Sequence, residues 1–187
     1  MTSAEIRGVH SPSTSTPLAY FITFHTYGTR LHGDEAGSVD RETNIYGMPS
    51  LPRQPRRVAF EKDLMNGPPY DLDSPRRKIV LAAILEVVSC RGWKLAAAHV
   101  RSNHVHVVLS APKHPDRVMN DLKAYASRHL NEMRIDPEGR KRWARHGSTR
   151  WLWTDEQVDE AISYTLEEQG EPMEVWDGRP TAGRVPK

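Results

Sequence analysis

The sequence predicts an α+β fold, a sandwich built on one antiparallel sheet, and three observations predict it. An aromatic and β-branched run, Ala19–Thr26, reads as a strand. Two further β-rich runs, Lys94–Val100 and His104–Ser110, are separated by Arg101, Ser102 and Asn103, the spacing of an antiparallel hairpin. Helical patterns precede and follow that hairpin, so the chain order is strand, helix, hairpin, helix.

Taken in order, the first strand leads into residues 28–72, rich in Gly, Pro, Asp and Arg. This is a long, mostly irregular excursion with a short strand around Arg57 to Phe60, and loops of such length are usually functional. The polar stretch from Arg30 to Arg41 within it suits wrapping around nucleic acid or a partner subunit. A helix opens at Ser74 as cap with Pro75 in its first position, runs apolar to Val88 and stops at Gly92. A second helix spans Pro115 to about Met133, with Val118, Leu122, Ala126 and Leu130 at helical spacing. Asp136 to Ser148 is a polar, basic connection around Trp143, and Thr149 to Trp153 is a short extended piece. Thr154 and Gln157 form a capping box for a third helix, with Asp155 and Glu156 at its positive end and Gly170 as its stop.

At 187 residues the chain suits one domain, read as 18–173 between disordered tails at 1–17 and 174–187. No run of eighteen apolar residues occurs, and the Ser/Thr/Pro-rich start lacks the apolar middle of a secretory signal. The expectation is a cytoplasmic, nucleoid-associated protein with no membrane partner. The lone Cys90 lies in an apolar helical run and reads as packing. The net charge is +2, so composition does not announce a nucleic-acid binder, but basic clusters at Arg53, Arg56 and Arg57, at Arg76, Arg77 and Lys78, and around Arg140 to Arg145 could meet phosphates.

The chemistry concentrates in His104-Val105-His106. Alternate strand residues share a face, so both imidazoles point one way while Val105, Val107 and Leu109 point to the core, and two adjacent imidazoles make half a metal site. Alone, such a pair is more often two surface histidines on a solvated sheet face. The third helix adds to it: Val158, Ala161, Ile162 and Thr165 form its apolar stripe, and Tyr164 falls roughly opposite. Glu168, at i+4 from Tyr164, projects beside the phenol, while Gln169 lands on the apolar side. A divalent ion on His104, His106 and Glu168 would polarise a phosphodiester while Tyr164 attacks phosphorus. Tyr125 is the rival nucleophile, at the border of its helix's apolar stripe. Candidate DNA contacts are Arg101, Lys123, Arg128, Arg150 and Trp151, the last with Trp153 as a stacking platform. His25, His99, His129 and His146 are scattered and read as structural.

The motifs Asn103-His-Val-His-Val-Val108 and Ile162-Ser-Tyr-Thr-Leu-Glu-Glu-Gln169, with Trp151-Leu-Trp153 before the second, resemble those of the HUH single-tyrosine transposases, the IS200-like and REP-associated kind. The resemblance spans most of residues 19–173. It implies a ferredoxin-like (RRM-like) sandwich, an antiparallel sheet with helices on one face and a tyrosine-bearing C-terminal helix. It further implies Mg²⁺ or Mn²⁺ as cofactor, single-stranded hairpin DNA as substrate, a 5′-phosphotyrosine intermediate, and a homodimer in which tyrosine helices can be exchanged. The family commonly carries Gln four residues after the tyrosine, where this chain has Glu168. Helix geometry favours Glu168 as third ligand, and a local irregularity bringing Gln169 round is the alternative. Two other functions stay open: a non-catalytic hairpin-binding regulator, and a metal hydrolase using water as nucleophile.

Overall fold

A computed structural model describes residues 16–31 and 54–179. Its centre is a five-stranded antiparallel sheet of β1 (Ala19–Thr26), β2 (Lys94–Val100), β3 (His104–Ser110), β4 (Trp143–Leu152) and β5 (Glu174–Asp177), in the spatial order β4-β1-β3-β2-β5. The first four strands, with the helices α2 (Ser74–Arg91) and α3 (Pro115–Glu132) between them, make the expected ferredoxin-like unit.

Alternation divides every strand between two faces. Tyr20, Ile22 and Phe24 of β1, Ala98 and Val100 of β2, and Val105, Val107 and Leu109 of β3 bury one face under α2 and α3, where Val80, Ile84, Val87, Leu122 and Leu130 meet them. Ala19, Ala97, Val108 and Leu152 point the other way and form a smaller cluster with Ala161, Ile162 and Leu166 of α4 (Asp155–Glu167). The tyrosine helix thus packs on its own face, opposite the other two helices. That is the face to which the odd β1 residues and the even β3 residues point.

The local signals mostly act as expected. In α2, Pro75 lies in the first turn and Gly92 ends the helix in the left-handed region at φ 64°, where a side chain would be strained. The cap is Asp73 and not Ser74: its carboxylate accepts from the Arg76 amide at 3.0 Å. In α4, Thr154 accepts from the Gln157 amide while Gln157 Oε1 accepts from the Trp153 amide at 2.8 Å.

Three expectations need correction. The strand around Arg57 to Phe60 is a helix, α1 (Pro55–Asp63), with Pro55 in its first turn and an Arg57–Glu61 pair across one turn. None of its residues is buried, and both sheet edges are already held by β4 and β5, so the β-preferring Val58 and Phe60 have no strand to pair with. The connection from Asp136 to Ser148 ends early, because β4 begins at Trp143, whose ring packs edge-on against Phe24 and whose indole donates to Ser127 Oγ at 2.9 Å. The tail placed at 174–187 starts with four residues of strand: β5 pairs with β2 from Val100 opposite Glu174 to Ala97 opposite Asp177. Readings on 1–15, 32–53 and 180–187, which include most of the Arg30 to Arg41 loop, lie outside the described residues.

Where the excursion is described again it is well anchored. The Tyr70 amide donates to Tyr27 O and the Leu72 amide to Ser102 O, and both side chains are buried. Asp136, with a side chain only 4% exposed, accepts from the Tyr70 hydroxyl and from the guanidinium groups of Arg76 and Arg142. Burial pushes its carboxyl up, but these donors outweigh that and hold it below the usual carboxylate range.

Candidate active site

β3 supplies His104 and His106 to the face covered by α4, their rings 4.7 Å apart between centroids and nearly perpendicular. Each imidazole is fixed through Nδ1. Asn103 Oδ1 lies 2.6 Å from His104 Nδ1, and since that oxygen only accepts, Nδ1 carries the proton and Nε2 keeps its lone pair. His106 Nδ1 lies 2.7 Å from the hydroxyl of Thr23, its register partner on β1, and Phe21 stacks on the His106 ring at 5.5 Å. Anchoring a ligating imidazole by its second nitrogen is how proteins fix the orientation of metal-binding histidines.

Burial keeps the group neutral. It is the main cause that pushes His106 down to about 3 and His104 down to about 4; the neighbouring His104 adds to the fall at His106, and a hydrogen bond to Gln169 opposes it at both. At neutral pH both rings are therefore uncharged, the form in which imidazole ligates a metal.

Tyr164 stands on α4 above this pair. Its ring is edge-on to His106 at 5.7 Å and to Phe21 at 5.8 Å, and the residue is 40% exposed. Phenol and imidazoles are thus brought together within a single chain. Helix periodicity does this: Ala161, Ile162, Thr165 and Leu166 are buried against the sheet, and Tyr164 falls at the margin of that stripe.

The third side chain at the pair is Gln169, whereas Glu168 is exposed. Gln169 Oε1 lies 3.1 Å from His106 Nε2, and its Nε2 donates to Tyr164 O at 3.1 Å. The physical reason is the helix end. α4 stops at Glu167, Glu168 leaves helical geometry at φ −102°, and Gly170 turns at φ 73°, so counting four residues from Tyr164 along a regular helix no longer gives the right side chain. Glu168 is exposed, and among the described residues no three His, Cys, Asp or Glu side chains converge as a metal cluster. Two imidazoles and one amide oxygen remain as donors. They suit a divalent ion, and because none carries charge the ion would keep its full positive charge for a phosphate.

His25 sits beside His104, its register partner, with ring centroids 5.5 Å apart. Arg30 Nη1 donates to His25 Nε2 at 3.0 Å. Sequence reasoning grouped His25 with the scattered histidines, gave Thr23 no role, and read Asn103 only within the hairpin turn and motif and Arg30 only as the start of a wrapping loop. The period-2 pattern of Ala19–Thr26 does put Phe21, Thr23 and His25 on one face, but the register that sets them against His104 and His106 is a long-range property. His99 is structural, as expected: fully buried, it donates from Nδ1 to Thr165 O at 3.0 Å and accepts at Nε2 from the Met173 amide at 3.2 Å.

The other candidates separate by face. Tyr125 lies on α3, across the sheet from the histidines, with the Arg128 guanidinium 4.8 Å from its ring centroid. Arg128 is likewise remote from the pair. Lys123, read as a DNA contact, is 8% exposed, and its ammonium donates to Ala144 O and His146 O in β4. Trp151 contacts Tyr20 and stacks on Trp153 at 5.8 Å, an exposed aromatic ledge on the α3 side of the β4 edge. Arg150 is paired with Phe21 on the histidine side and reaches Glu160 of α4 at 3.4 Å. Arg101, next to the hairpin turn, donates to Glu171 O just past Gln169.

Residues 72–156 match the model of the family described as "Transposase IS200 like". Across this segment the chain is similar to that family. The matched segment contains the hairpin with both histidines, and Tyr164 lies beyond its end. Among solved structures, this chain is similar to a REP-associated tyrosine transposase bound to a REP hairpin, at 10% identity and a TM-score of 0.45 over 89% of this chain and 72% of that one. It is also similar to a candidate transposase from Deinococcus radiodurans, at 17% identity and a TM-score of 0.39 over 89% of this chain and 98% of that one. No curated protein matches the sequence. Among the described residues, no helix is long and apolar enough to cross a membrane.

Proposed function

We propose that this chain nicks and rejoins single-stranded, hairpin-bearing DNA through a covalent 5′-phosphotyrosine on Tyr164. The observation that carries the reading is the meeting of an exposed phenol with an anchored pair of neutral imidazoles in a chain whose residues 72–156 match the IS200-like transposase model.

His104, His106 and Gln169 would hold a Mg²⁺ or Mn²⁺ ion. Bound there, that ion would polarise the scissile phosphate and neutralise the charge that develops on it. The protein's own groups do the rest. Asn103 and Thr23 keep both rings turned with Nε2 toward the site, and the Thr23 hydroxyl can accept as well as donate, so His106 can also present a bare Nε2. Tyr164 gives up its proton and its oxygen bonds to phosphorus, while the bond to the 3′ oxygen breaks and leaves a 3′ hydroxyl. A second 3′ hydroxyl attacking the phosphotyrosine restores the phosphodiester and the phenol, with no external energy source.

The test is a denaturing gel of protein mixed with labelled single-stranded hairpin oligonucleotides and Mn²⁺. A covalent adduct that disappears with EDTA and in Tyr164→Phe supports the proposal. DNA retention without adduct or cleavage would assign the chain to non-catalytic hairpin binding, and cleavage undiminished in Tyr164→Phe would make water the nucleophile.

A further inference from the structure

We infer that Arg101 is the positioning residue for the third donor: by tying the hairpin of His104 and His106 to the turn of Gln169, it sets how tightly the three side chains take a divalent ion. The inference rests on the proposed metal site and names the residue that holds its third donor in place.

The three donors come from two separate segments. His104 and His106 belong to β3, which is paired on both sides, whereas Gln169 projects from the turn after α4. That turn has little backbone support. The Gly92 amide closes α2 on Ser89 O and Val88 O, but among the described residues no such bond from the Glu168 amide closes α4. Gly170 then turns in the left-handed region at φ 73°. Side chains satisfy the helix end instead. His99 brackets the turn from outside, at Thr165 O and the Met173 amide, and Gln169 Nε2 reaches back to Tyr164 O.

Arg101 acts at the apex. Its Nη1 donates to Glu171 O at 3.1 Å, two residues after Gln169, and its Nη2 lies 3.9 Å from where a Cβ on Gly170 would stand. The backbone of Arg101 is fixed as well, since its amide donates to His104 O at 2.9 Å and closes the hairpin. One residue thus joins the main chain of His104 to the main chain beside Gln169. The guanidinium is planar with donors in a rigid fork, so this link carries direction as well as distance. His99 holds the two ends of the turn; Arg101 holds the part from which Gln169 projects. The sign of the effect separates this role from simple charge. A nearby cation repels a metal ion, so a guanidinium acting by charge alone would weaken metal binding, and its removal would tighten it. A latch has the opposite effect when removed.

The experiment is Mn²⁺ calorimetry at neutral pH on the full chain without DNA, with thermal melting alongside to show that each variant is folded. Arg101→Ala should weaken Mn²⁺ binding by about tenfold, the low end of losses when a group supporting a ligand is removed. Arg101→Lys, which keeps a donor for Glu171 O, should recover part of that loss. Gly170→Ala strains the turn from its own backbone and should weaken binding with Arg101 intact. The deciding comparison is made in Gln169→Ala, where adding Arg101→Ala should cost no further affinity, because the two residues act as one unit. An equal loss in both backgrounds, or Mn²⁺ binding unchanged or tighter in Arg101→Ala, would overturn the inference alone. Absence of Mn²⁺ binding by the wild-type protein would instead remove the proposed metal site and this inference with it.

Discussion

The Nδ1 proton of His99, in the middle of the sheet, is donated at 3.0 Å to the carbonyl of Thr165, the residue next to Tyr164. Through Nε2 the same ring accepts from Met173, at the start of the segment that becomes β5. One fully buried imidazole thus pins the chain on both sides of the turn containing Gln169.

His99→Leu keeps roughly the volume and removes both hydrogen bonds, leaving a buried carbonyl without its donor, which costs about 1–3 kcal/mol. Thermal unfolding should show that loss. Adduct formation should fall more than stability does, because the turn holding Gln169 and Tyr164 loosens before the domain unfolds.

Gln169 and Glu168 make opposite predictions for metal binding. Gln169→Ala should weaken Mn²⁺ binding by about tenfold or more in calorimetry, on the scale of losses at metal sites when one supporting group goes. Glu168→Ala should leave the affinity unchanged. The reverse result would restore Glu168 as the ligand.

Acid should destabilise the fold through the site. His104 at about 4 and His106 at about 3 sit below the value near 6.5 of an unfolded histidine. Between those values the unfolded chain binds more protons than the native one, so the contribution is complete above pH 6.5 and is lost as pH falls toward 4. Melting temperatures measured without metal from pH 7 to pH 4.5 should fall, and His104→Gln with His106→Gln should flatten the slope.

Assembly within one chain is testable by mixing. A His104→Ala, His106→Ala protein retains the phenol, and a Tyr164→Phe protein retains the imidazoles. With Tyr164 held beside its own His106, the mixture should form no adduct. Restored adduct would mean that helices are exchanged between subunits.

Local chemistry made most of this fold readable. Capping at Thr154, the left-handed glycine after α2, and the three-residue hairpin turn each depend on residues adjacent in sequence, and each appears where the sequence puts it. The alternation of His104 and His106 against Val105 and Val107 was legible for the same reason. What escaped depends on distant partners. Arg57 to Phe60 has strand-forming residues but no free edge to join, and Glu174 to Asp177 forms a strand because β2 offers one. Lys123 looked like a surface cation until β4 supplied carbonyls for its ammonium. Gln169 was only the alternative to Glu168 because regular helix geometry was extended past Glu167, where the helix has ended. His25 and Thr23 acquire meaning only from the β1 to β3 register.

The central claim is that the phenol of Tyr164 becomes the covalent carrier of DNA. Mass spectrometry of proteolytic fragments from the protein–oligonucleotide adduct tests it most directly. A nucleotide 5′-phosphate on the peptide containing Tyr164 is the predicted result; the same mass on a peptide containing Tyr125 or any other residue would contradict it.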